Sequence, residues 1–163
     1  MIIIVMGVAG SGKTVVSGLL AMKLGWDFLD ADDYHPQANI EKMRRGEPLS
    51  DDDRMPWLST LHGLLAAAES RGTSTVLACS ALRRSYRDIL RDGLREVAFV
   101  YLKAEPQTIA ERLSVRRDHF FNAALLQSQL DLLEPPDDAL VIDSDESPEV
   151  IVDEIIGRLE LRR

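Results

Sequence analysis

Short apolar runs alternate along the chain with longer segments of helical periodicity. Four of the five runs are rich in β-branched or aromatic residues, as are strands that are buried on both faces of a parallel sheet. The run at 26–29 gives the weakest strand signal. The predicted strands are IIIVM (2–6), WDFL (26–29), TVLAC (75–79), VAFVYL (97–102) and ALVI (139–142).

Between these runs, apolar residues recur at helical spacing. The side chains of Val16, Leu20 and Leu24 fall on one helical face, and Gly25 follows as a C-terminal stop. The alternation of strands with helices is typical of an α/β domain with helices on both faces of a parallel sheet. The predicted helices are residues 12–24, 83–92 and 106–115, together with a segment that follows the N-cap Ser147.

Composition limits the classes of function. The 163 residues, 45% of them apolar, suit one domain spanning 1–163. The net charge of −8 argues against a nucleic-acid or membrane partner, because both need a basic footprint, although a small anion could bind to a local Arg or Lys cluster. The chain has one cysteine, no signal-peptide pattern and no apolar run near the roughly 20 residues of a membrane span, so we expect a cytoplasmic protein.

The strongest motif is GVAGSGKT at residues 7–14, which matches G-x-x-x-x-G-K-[ST] in full between a predicted strand and a predicted helix. In such a loop, backbone N–H groups surround phosphate oxygens at a helix N-terminus. Lys13 would reach the β- and γ-phosphates and Thr14 would offer its hydroxyl to Mg²⁺. The alternative is a glycine-rich turn without a ligand. The predicted ATP-binding residues are Gly7, Val8, Ala9, Gly10, Ser11, Gly12, Lys13 and Thr14.

Acidic side chains follow the second predicted strand in LDADDYHP, residues 29–36. Because ligands of parallel sheets lie at the carboxyl ends of the strands, Asp30 and Asp32 should approach the phosphate loop, with both side chains on one side of an extended chain. One carboxylate could hold metal-bound water, and the other could orient an acceptor hydroxyl or take its proton. His35 lies beside this predicted acceptor site and is predicted to bind the substrate. The alternative is a capped turn of solvated acids.

A second acidic block, GEPLSDDDRMPW at 46–57, predicts a helix N-terminus at Ser50 with Pro56 in the first turn. That role explains the three aspartates but not Arg54, because the helix dipole disfavours a cation near the N-terminus. Arg54 is therefore predicted to bind an anion.

Two further arginine groups follow later strands. Arg83 and Arg87 are one helical turn apart after the third strand, and they predict recognition of a substrate carboxylate or phosphate. Arg112 and Arg116 are predicted catalytic residues of a mobile lid at about 112–125, where they would neutralise charge on the transferring phosphoryl group, and Arg116 would also bind ATP. The alternative for both groups is a solvated basic helix face.

Taken together, these motifs resemble the gluconate kinase family of shikimate-kinase-like small-molecule kinases. The block at 29–58 carries the most specific part of the resemblance, and the matching segments cover most of the chain. They are GVAGSGKT (7–14), LDADDYHPQANIEKMRRGEPLSDDDRMPWL (29–58), CSALRRSYRDILR (79–91), VYLKA (100–104) and RRDHFFNAALLQSQLDLLEPP (117–136).

The resemblance implies a three-layer P-loop kinase fold with a five-stranded parallel sheet, helices on both faces, a mobile lid and a homodimer. It implies transfer of the γ-phosphoryl group of ATP, with Mg²⁺, to the 6-hydroxyl of D-gluconate, whose product feeds the pentose phosphate or Entner–Doudoroff routes. By position, Asp30 would support Mg²⁺ and Asp32 would orient the sugar hydroxyl. Arg54 and Arg83 would face gluconate.

Four positions depart from the family pattern, although none removes a group that the chemistry requires. Ala31 replaces the usual Gly between the two acids, which could alter the turn. Arg83 replaces Lys, and Met55 replaces a residue that is often aromatic. Asp118 replaces the Gly before His119, which puts the flexibility of the lid in doubt.

Other functions stay open at this stage. Shikimate is disfavoured as the acceptor, because shikimate kinases have a Gly-Gly-Gly stretch where this chain has CSAL. Nucleoside monophosphate kinases are compatible by fold alone. A nucleotide-binding regulatory module would keep the phosphate loop but would need neither Asp32 nor the arginines. A purely structural domain would leave GVAGSGKT unexplained.

Overall fold

Five parallel strands form one sheet in the order β2-β3-β1-β4-β5, in a computed structural model that describes residues 1–115 and 123–162. Every neighbouring pair is parallel, so all five carboxyl ends lie at one edge. Each strand lies within one residue of its predicted run at both ends, including the weakly predicted second one. The strands are β1 Ile2–Met6, β2 Asp27–Asp30, β3 Thr75–Ala78, β4 Val97–Lys103 and β5 Leu140–Asp143.

Helices connect the successive strands, and one more helix follows the last strand. Those predicted from periodicity are confirmed within one residue at their starts, whereas α2 and α6 have no counterpart among them. A short 3-10 turn, Ala31–Tyr34, follows β2. The helices are α1 Lys13–Leu24, α2 Gln37–Arg44, α3 Asp51–Ser70, α4 Arg84–Arg91, α5 Pro106–Ser114, α6 Ala123–Leu132 and α7 Pro148–Arg158.

Alternate residues of the central strand pack on opposite faces of the sheet. Ile2, Ile4 and Met6 belong to a buried cluster with side chains of α3 and α4. Ile3 and Val5 belong to a second cluster with side chains of α1 and α7. All five of these residues are fully buried, as expected for a strand covered on both sides. The three-layer α/β architecture is therefore confirmed.

The start of α3 differs from the prediction at one point. Ser50 is the N-cap and forms a capping box with Asp53, so the helix begins at Asp51. Pro56 is consequently the sixth helical residue, and the expectation that it lies in the first turn is wrong. Since proline has no N–H, the carbonyl of Asp52 receives no i→i+4 hydrogen bond from it.

A further layer covers the carboxyl edge of the sheet. Val8 of the phosphate loop packs with Ile109 of α5 and Leu126 of α6. Leu125 of α6 packs with Met43 of α2. These contacts hold α6 above the phosphate loop and beside α2.

Part of one predicted feature, the lid, lies outside the residues that the structure describes. Half of the predicted lid at 112–125, namely residues 116–122, lies outside the described residues, and these include Arg116, Asp118 and His119. Within 1–115 and 123–162, no helix combines the length and the apolar character that crossing a membrane requires.

Candidate active site

The phosphate loop joins β1 to α1 with a backbone that only glycine adopts easily. Gly7 has φ 149°, and a Cβ there would lie 2.9 Å from the carbonyl oxygen of Leu102. Gly12 has φ 93° at the N-cap of α1. Lys13 Nζ donates to the carbonyl oxygen of Val8 at 3.0 Å, so the ammonium group lies across the loop. The predicted loop therefore has the concave backbone and the cation that a polyphosphate requires.

The two acids after β2 lie beside this loop. Thr14 Oγ1 donates to Asp30 Oδ2 at 2.8 Å, and Asp32 N donates to Asp30 Oδ1 at 3.0 Å. Asp32 belongs to the 3-10 turn, so the turn, and not strand alternation as predicted, places it next to Asp30. Ala31 between them is buried and has no left-handed backbone, so the departure from glycine strains nothing at this turn.

One cavity brings the phosphate loop together with the predicted acceptor residues. Its walls come from the loop, the 3-10 turn, α2, α3, α6 and the chain after β3. Lys13 and Arg54 provide positive charge, and Asp32 provides the acid. The polar side chains of its lining include Lys13, Thr14, Asp32, His35, Arg54 and Gln129.

Arg54 is 8% exposed and lies on the first turns of α3, close to the cavity. Its Nη1 donates to the carbonyl oxygen of Leu49, and its guanidinium carbon lies 5.6 Å from the ring centroid of Tyr86. These contacts hold the cation where the helix dipole alone would disfavour it, because the aromatic ring and the carbonyl oxygen both attract positive charge.

His35 stacks on Trp57, with the ring centroids 4.2 Å apart and an interplanar angle of 11°. Trp57 Nε1 in turn donates to the carbonyl oxygen of Ala31 at 2.7 Å. Burial, together with the positive charge of Arg54, lowers the pKa of His35 to about 4. The imidazole is therefore neutral near pH 7, and it can act as a hydrogen-bonding group but not as a cation.

Arg83 and Arg87 do not share the environment that their spacing predicts, and neither is among the described residues that line the cavity. Arg83 forms an ion pair with Asp51 at 3.4 Å, and Tyr86 donates its hydroxyl to the same carboxylate. Arg87 is 3% exposed, and its guanidinium donates to backbone carbonyls. The acceptors are Ala81 O at 2.8 Å, Leu82 O at 3.2 Å and Glu134 O at 3.0 Å.

These contacts give Arg87 a structural role, and its predicted role in substrate binding stays a prediction that they do not support. Its hydrogen bonds join the chain after β3 to the chain after α6. Ala81, one of its acceptors, has a left-handed backbone at φ 44°, which is unfavourable for a residue with a Cβ. Arg87 therefore holds an unfavourable turn in place next to Ser80, which lines the cavity.

Arg112 lies on the other side of the phosphate loop. Its Nη2 donates to the carbonyl oxygen of Ser144 at 2.6 Å, and its Nη1 lies 3.3 Å from the carbonyl oxygen of Gly10. A second cavity opens here between the loop, α5 and the start of α7, and Arg112, Val115 and Pro148 are among its lining residues. Arg112 thus joins the phosphate loop to the chain after β5.

Sequence reasoning missed two polar residues of the first cavity region. Gln129 of α6 accepts a hydrogen bond from the backbone N–H of Ala9 through Oε1 at 2.7 Å. Asn39 of α2 is buried and donates to the carbonyl oxygen of Asp53 at 2.9 Å. Neither position carries a motif, because each depends on a helix that the periodicity does not predict.

Comparisons with known proteins show the family of the chain. A family model described as an AAA domain matches residues 2–136. The chain is 46% identical to the probable gluconokinase of Xenopus tropicalis, over 98% of this chain and 94% of that protein. It is 44% identical to the gluconokinase of Gluconobacter oxydans, over 97% and 90% of the two chains.

A solved structure extends the likeness to three dimensions. The structure of a gluconokinase from Sinorhizobium meliloti 1021 superposes with a TM-score of 0.86 at 41% identity, covering 97% of this chain and 90% of that one. Full-length coverage excludes a likeness that is confined to the phosphate loop. The chain belongs to the gluconokinase family, within the wider AAA domain group.

Proposed function

We propose that the chain transfers the γ-phosphoryl group of ATP to the 6-hydroxyl of D-gluconate, giving 6-phospho-D-gluconate and ADP. The observation that carries the proposal is that Lys13 and Thr14 of the phosphate loop line the same cavity as Asp32 and Arg54. A polyphosphate on the loop and an anionic acceptor near Arg54 would meet in this cavity.

The nucleotide would occupy both sides of the phosphate loop. Backbone N–H groups and Lys13 would bind the β- and γ-phosphates. The second cavity, beside Arg112, would take the nucleoside. Arg112 would keep the loop fixed against the chain after β5 through its carbonyl contacts. Arg116, which lies outside the described residues, remains a proposed catalytic and ATP-binding residue of a lid.

Thr14 and Asp30 fit a magnesium ion. A hydroxyl and a carboxylate already lie 2.8 Å apart, and Mg²⁺ prefers oxygen ligands while it keeps several waters. Bound there with ATP, Mg²⁺ would neutralise phosphate charge. Asp30 would act mainly through the ion, because its second oxygen is engaged by the backbone N–H of Asp32.

The acceptor would lie between Asp32 and Arg54. Asp32 would orient the 6-hydroxyl, whose oxygen forms the new bond to the γ-phosphorus as the bond to the β–γ bridging oxygen breaks. The hydroxyl proton passes to Asp32, or leaves late if the transition state is loose. Arg54 would attract the gluconate carboxylate, and His35 would offer a neutral polar contact. Arg83, which forms an ion pair with Asp51, is a second proposed carboxylate contact.

The test is ADP release by the purified protein with ATP and Mg²⁺, across D-gluconate, shikimate, glycerate, AMP and no acceptor. We expect turnover only with gluconate. Turnover with a different acceptor would keep the kinase and overturn the roles of Arg54 and Arg83. ATP binding without acceptor-dependent turnover would instead favour a regulatory module.

The family relationship also supports two broader proposals. We propose that the protein forms a homodimer and that it acts in the cytoplasm, where ATP and gluconate would both be available. Sedimentation velocity across a range of protein concentrations tests the first proposal, and a single monomeric species throughout would contradict it. Cell fractionation of the untagged protein tests the second.

A further inference from the structure

The hydrogen bonds of Asn39 fix the orientation of its side-chain amide. Asn39 Nδ2 lies 2.9 Å from the carbonyl oxygen of Asp53. A carbonyl oxygen can only accept, so the amide nitrogen, and not the amide oxygen, must occupy this position. The second hydrogen of the same nitrogen is left to donate elsewhere.

That second hydrogen meets the ring of His35. Asn39 Nδ2 lies 3.3 Å from His35 Nδ1. Because the amide nitrogen has no acceptor capacity, Nδ1 must present its lone pair, and the ring proton must reside on Nε2. The stack on Trp57 holds the ring plane. A proton on Nδ1 would face the Asn39 N–H and would be repelled.

We propose that Asn39 is a positioning residue that fixes His35 as the neutral Nε2–H tautomer, so that the ring offers one N–H donor to a hydroxyl oxygen of the sugar-acid acceptor. The identity of the acceptor rests on the proposed function, whereas the tautomer does not. The two residues would then make different contacts with the acceptor. Arg54 provides positive charge for its carboxylate, and His35 provides a directional N–H donor for one of its hydroxyl groups.

The surroundings of the ring support a neutral donor at all pH values near 7. Arg54 of α3 and Asp32 of the 3-10 turn share the cavity with His35. The ion pair between Lys42 and Asp53, at 2.7 Å, involves the residue whose carbonyl oxygen accepts from Asn39. Burial and the nearby cation Arg54 both disfavour an imidazolium.

The direct test is a two-bond ¹H–¹⁵N correlation spectrum of the full chain labelled at its three histidines, without any ligand. The signals of His35 are assigned by their loss in His35→Gln. We expect the Nε2–H pattern, unchanged between pH 8 and pH 5.5. An Nδ1–H pattern, a tautomer mixture, or a titration in that range would overturn the proposal. This measurement needs no variant at position 39 and no substrate.

Two variants of Asn39 then test its causal role. Asn39→Asp replaces the donor by an acceptor, so His35 should gain a proton on Nδ1 and titrate at higher pH. Gln37→Glu adds the same charge on the exposed side of α2 and should leave the His35 signals unchanged. Asn39→Ala should release the tautomer and give a mixture. A pure Nε2–H pattern in folded Asn39→Ala would overturn the role of Asn39.

Steady-state kinetics distinguish the contribution of the His35 N–H donor from that of the packing of its ring. His35→Phe keeps an aromatic ring on Trp57 but removes the N–H, and we expect the gluconate KM to rise about tenfold with the ATP KM unchanged. His35→Gln restores a donor and should recover part of that loss. Equal losses in both variants would show that only packing matters. If another acceptor replaces gluconate in the ADP-release panel, the spectrum still decides the tautomer.

Discussion

The hydroxyl of Thr14 donates to the carboxylate of Asp30 across sixteen residues of sequence, at 2.8 Å. Thr14 lies in α1, which follows β1, and Asp30 ends β2, yet β3 lies between these two strands in the sheet. The contact arises at the carboxyl edge, where the start of α1 and the end of β2 converge. It links the phosphate loop directly to the acids that face the acceptor.

This contact predicts a magnesium-dependent defect in Asp30→Asn. The amide keeps the size of the side chain but removes its charge, so the ion should bind more weakly. We expect kcat at low Mg²⁺ to fall about 10- to 100-fold and to recover partly as Mg²⁺ is raised. Asp33→Asn, an exposed neighbour, is the matched control. A defect that is independent of the Mg²⁺ concentration would contradict the role of Asp30.

Asp32 predicts a different defect. Asp32→Ala removes the carboxylate that faces the acceptor, so kcat should fall by roughly two to four orders of magnitude while ATP affinity is kept. Steady-state kinetics combined with calorimetric titration of ATP distinguishes the two effects. Unchanged turnover in this variant would show that Asp32 is neither a base nor an orienting group.

Gln129 predicts coupling between α6 and the phosphate loop. Gln129→Met keeps the length of the side chain but leaves the N–H of Ala9 without its side-chain acceptor. We expect kcat/KM to fall about 5- to 20-fold, because loss of one positioned hydrogen bond is worth roughly 1–2 kcal/mol. Gln127→Met is the control, since Gln127 is exposed on the same helix and bonds Asp131. Equal effects of the two substitutions would exclude a specific role for the loop contact.

We expect substitution of Arg87 to lower the stability of the fold. Arg87→Met removes the donor to three backbone carbonyls in a buried place, so the free energy of unfolding should fall by roughly 2–4 kcal/mol. Urea unfolding measures the change. Arg84→Met on the exposed face of α4 should change it by less than about 0.5 kcal/mol. If Arg87→Met has the same free energy of unfolding as the wild type but a raised gluconate KM, the result would favour a role of Arg87 in substrate binding.

His35 predicts a pH dependence of stability. Its pKa is about 4 in the folded protein against a model-peptide value near 6.5, so between these values the unfolded chain binds the extra proton. The contribution is therefore present above pH 6.5 and is lost as the pH falls towards 4, by roughly 3 kcal/mol in total. Urea unfolding at pH 7 and pH 5 measures this loss. It should shrink in His35→Gln and persist in His62→Gln.

The sequence predicted the sheet well because strands buried on both faces leave a composition signal. Ile2 to Met6 are apolar without interruption, and they are fully buried. The phosphate loop was equally predictable, since its backbone needs Gly7 and Gly12. By contrast, only part of the surface of α2 and α6 is packed, so their sequences carry no regular stripe of apolar residues from which a helix could be predicted.

The acceptor side was predictable in residue type but not in orientation. Asp30 and Asp32 do lie together, but a 3-10 turn brings them there. The spacing of Arg83 and Arg87 predicts the same role for both. Arg87 nevertheless points inward and donates to backbone carbonyls, and no local sequence pattern predicts these contacts. Asn39 and Gln129 act through contacts with distant segments, and one sequence cannot indicate such contacts.

The strand order also has an evolutionary consequence. β2 and β3 lie on one side of β1, so residues 27–91 build one half of the sheet as an uninterrupted stretch of chain. That stretch contains Asp32, His35 and Arg54, whereas the phosphate loop and α6 contribute the rest of the described cavity lining. A gene segment that encodes this half can be recombined between relatives as a cassette. New acceptors can thus arise while the nucleotide-binding half is inherited unchanged.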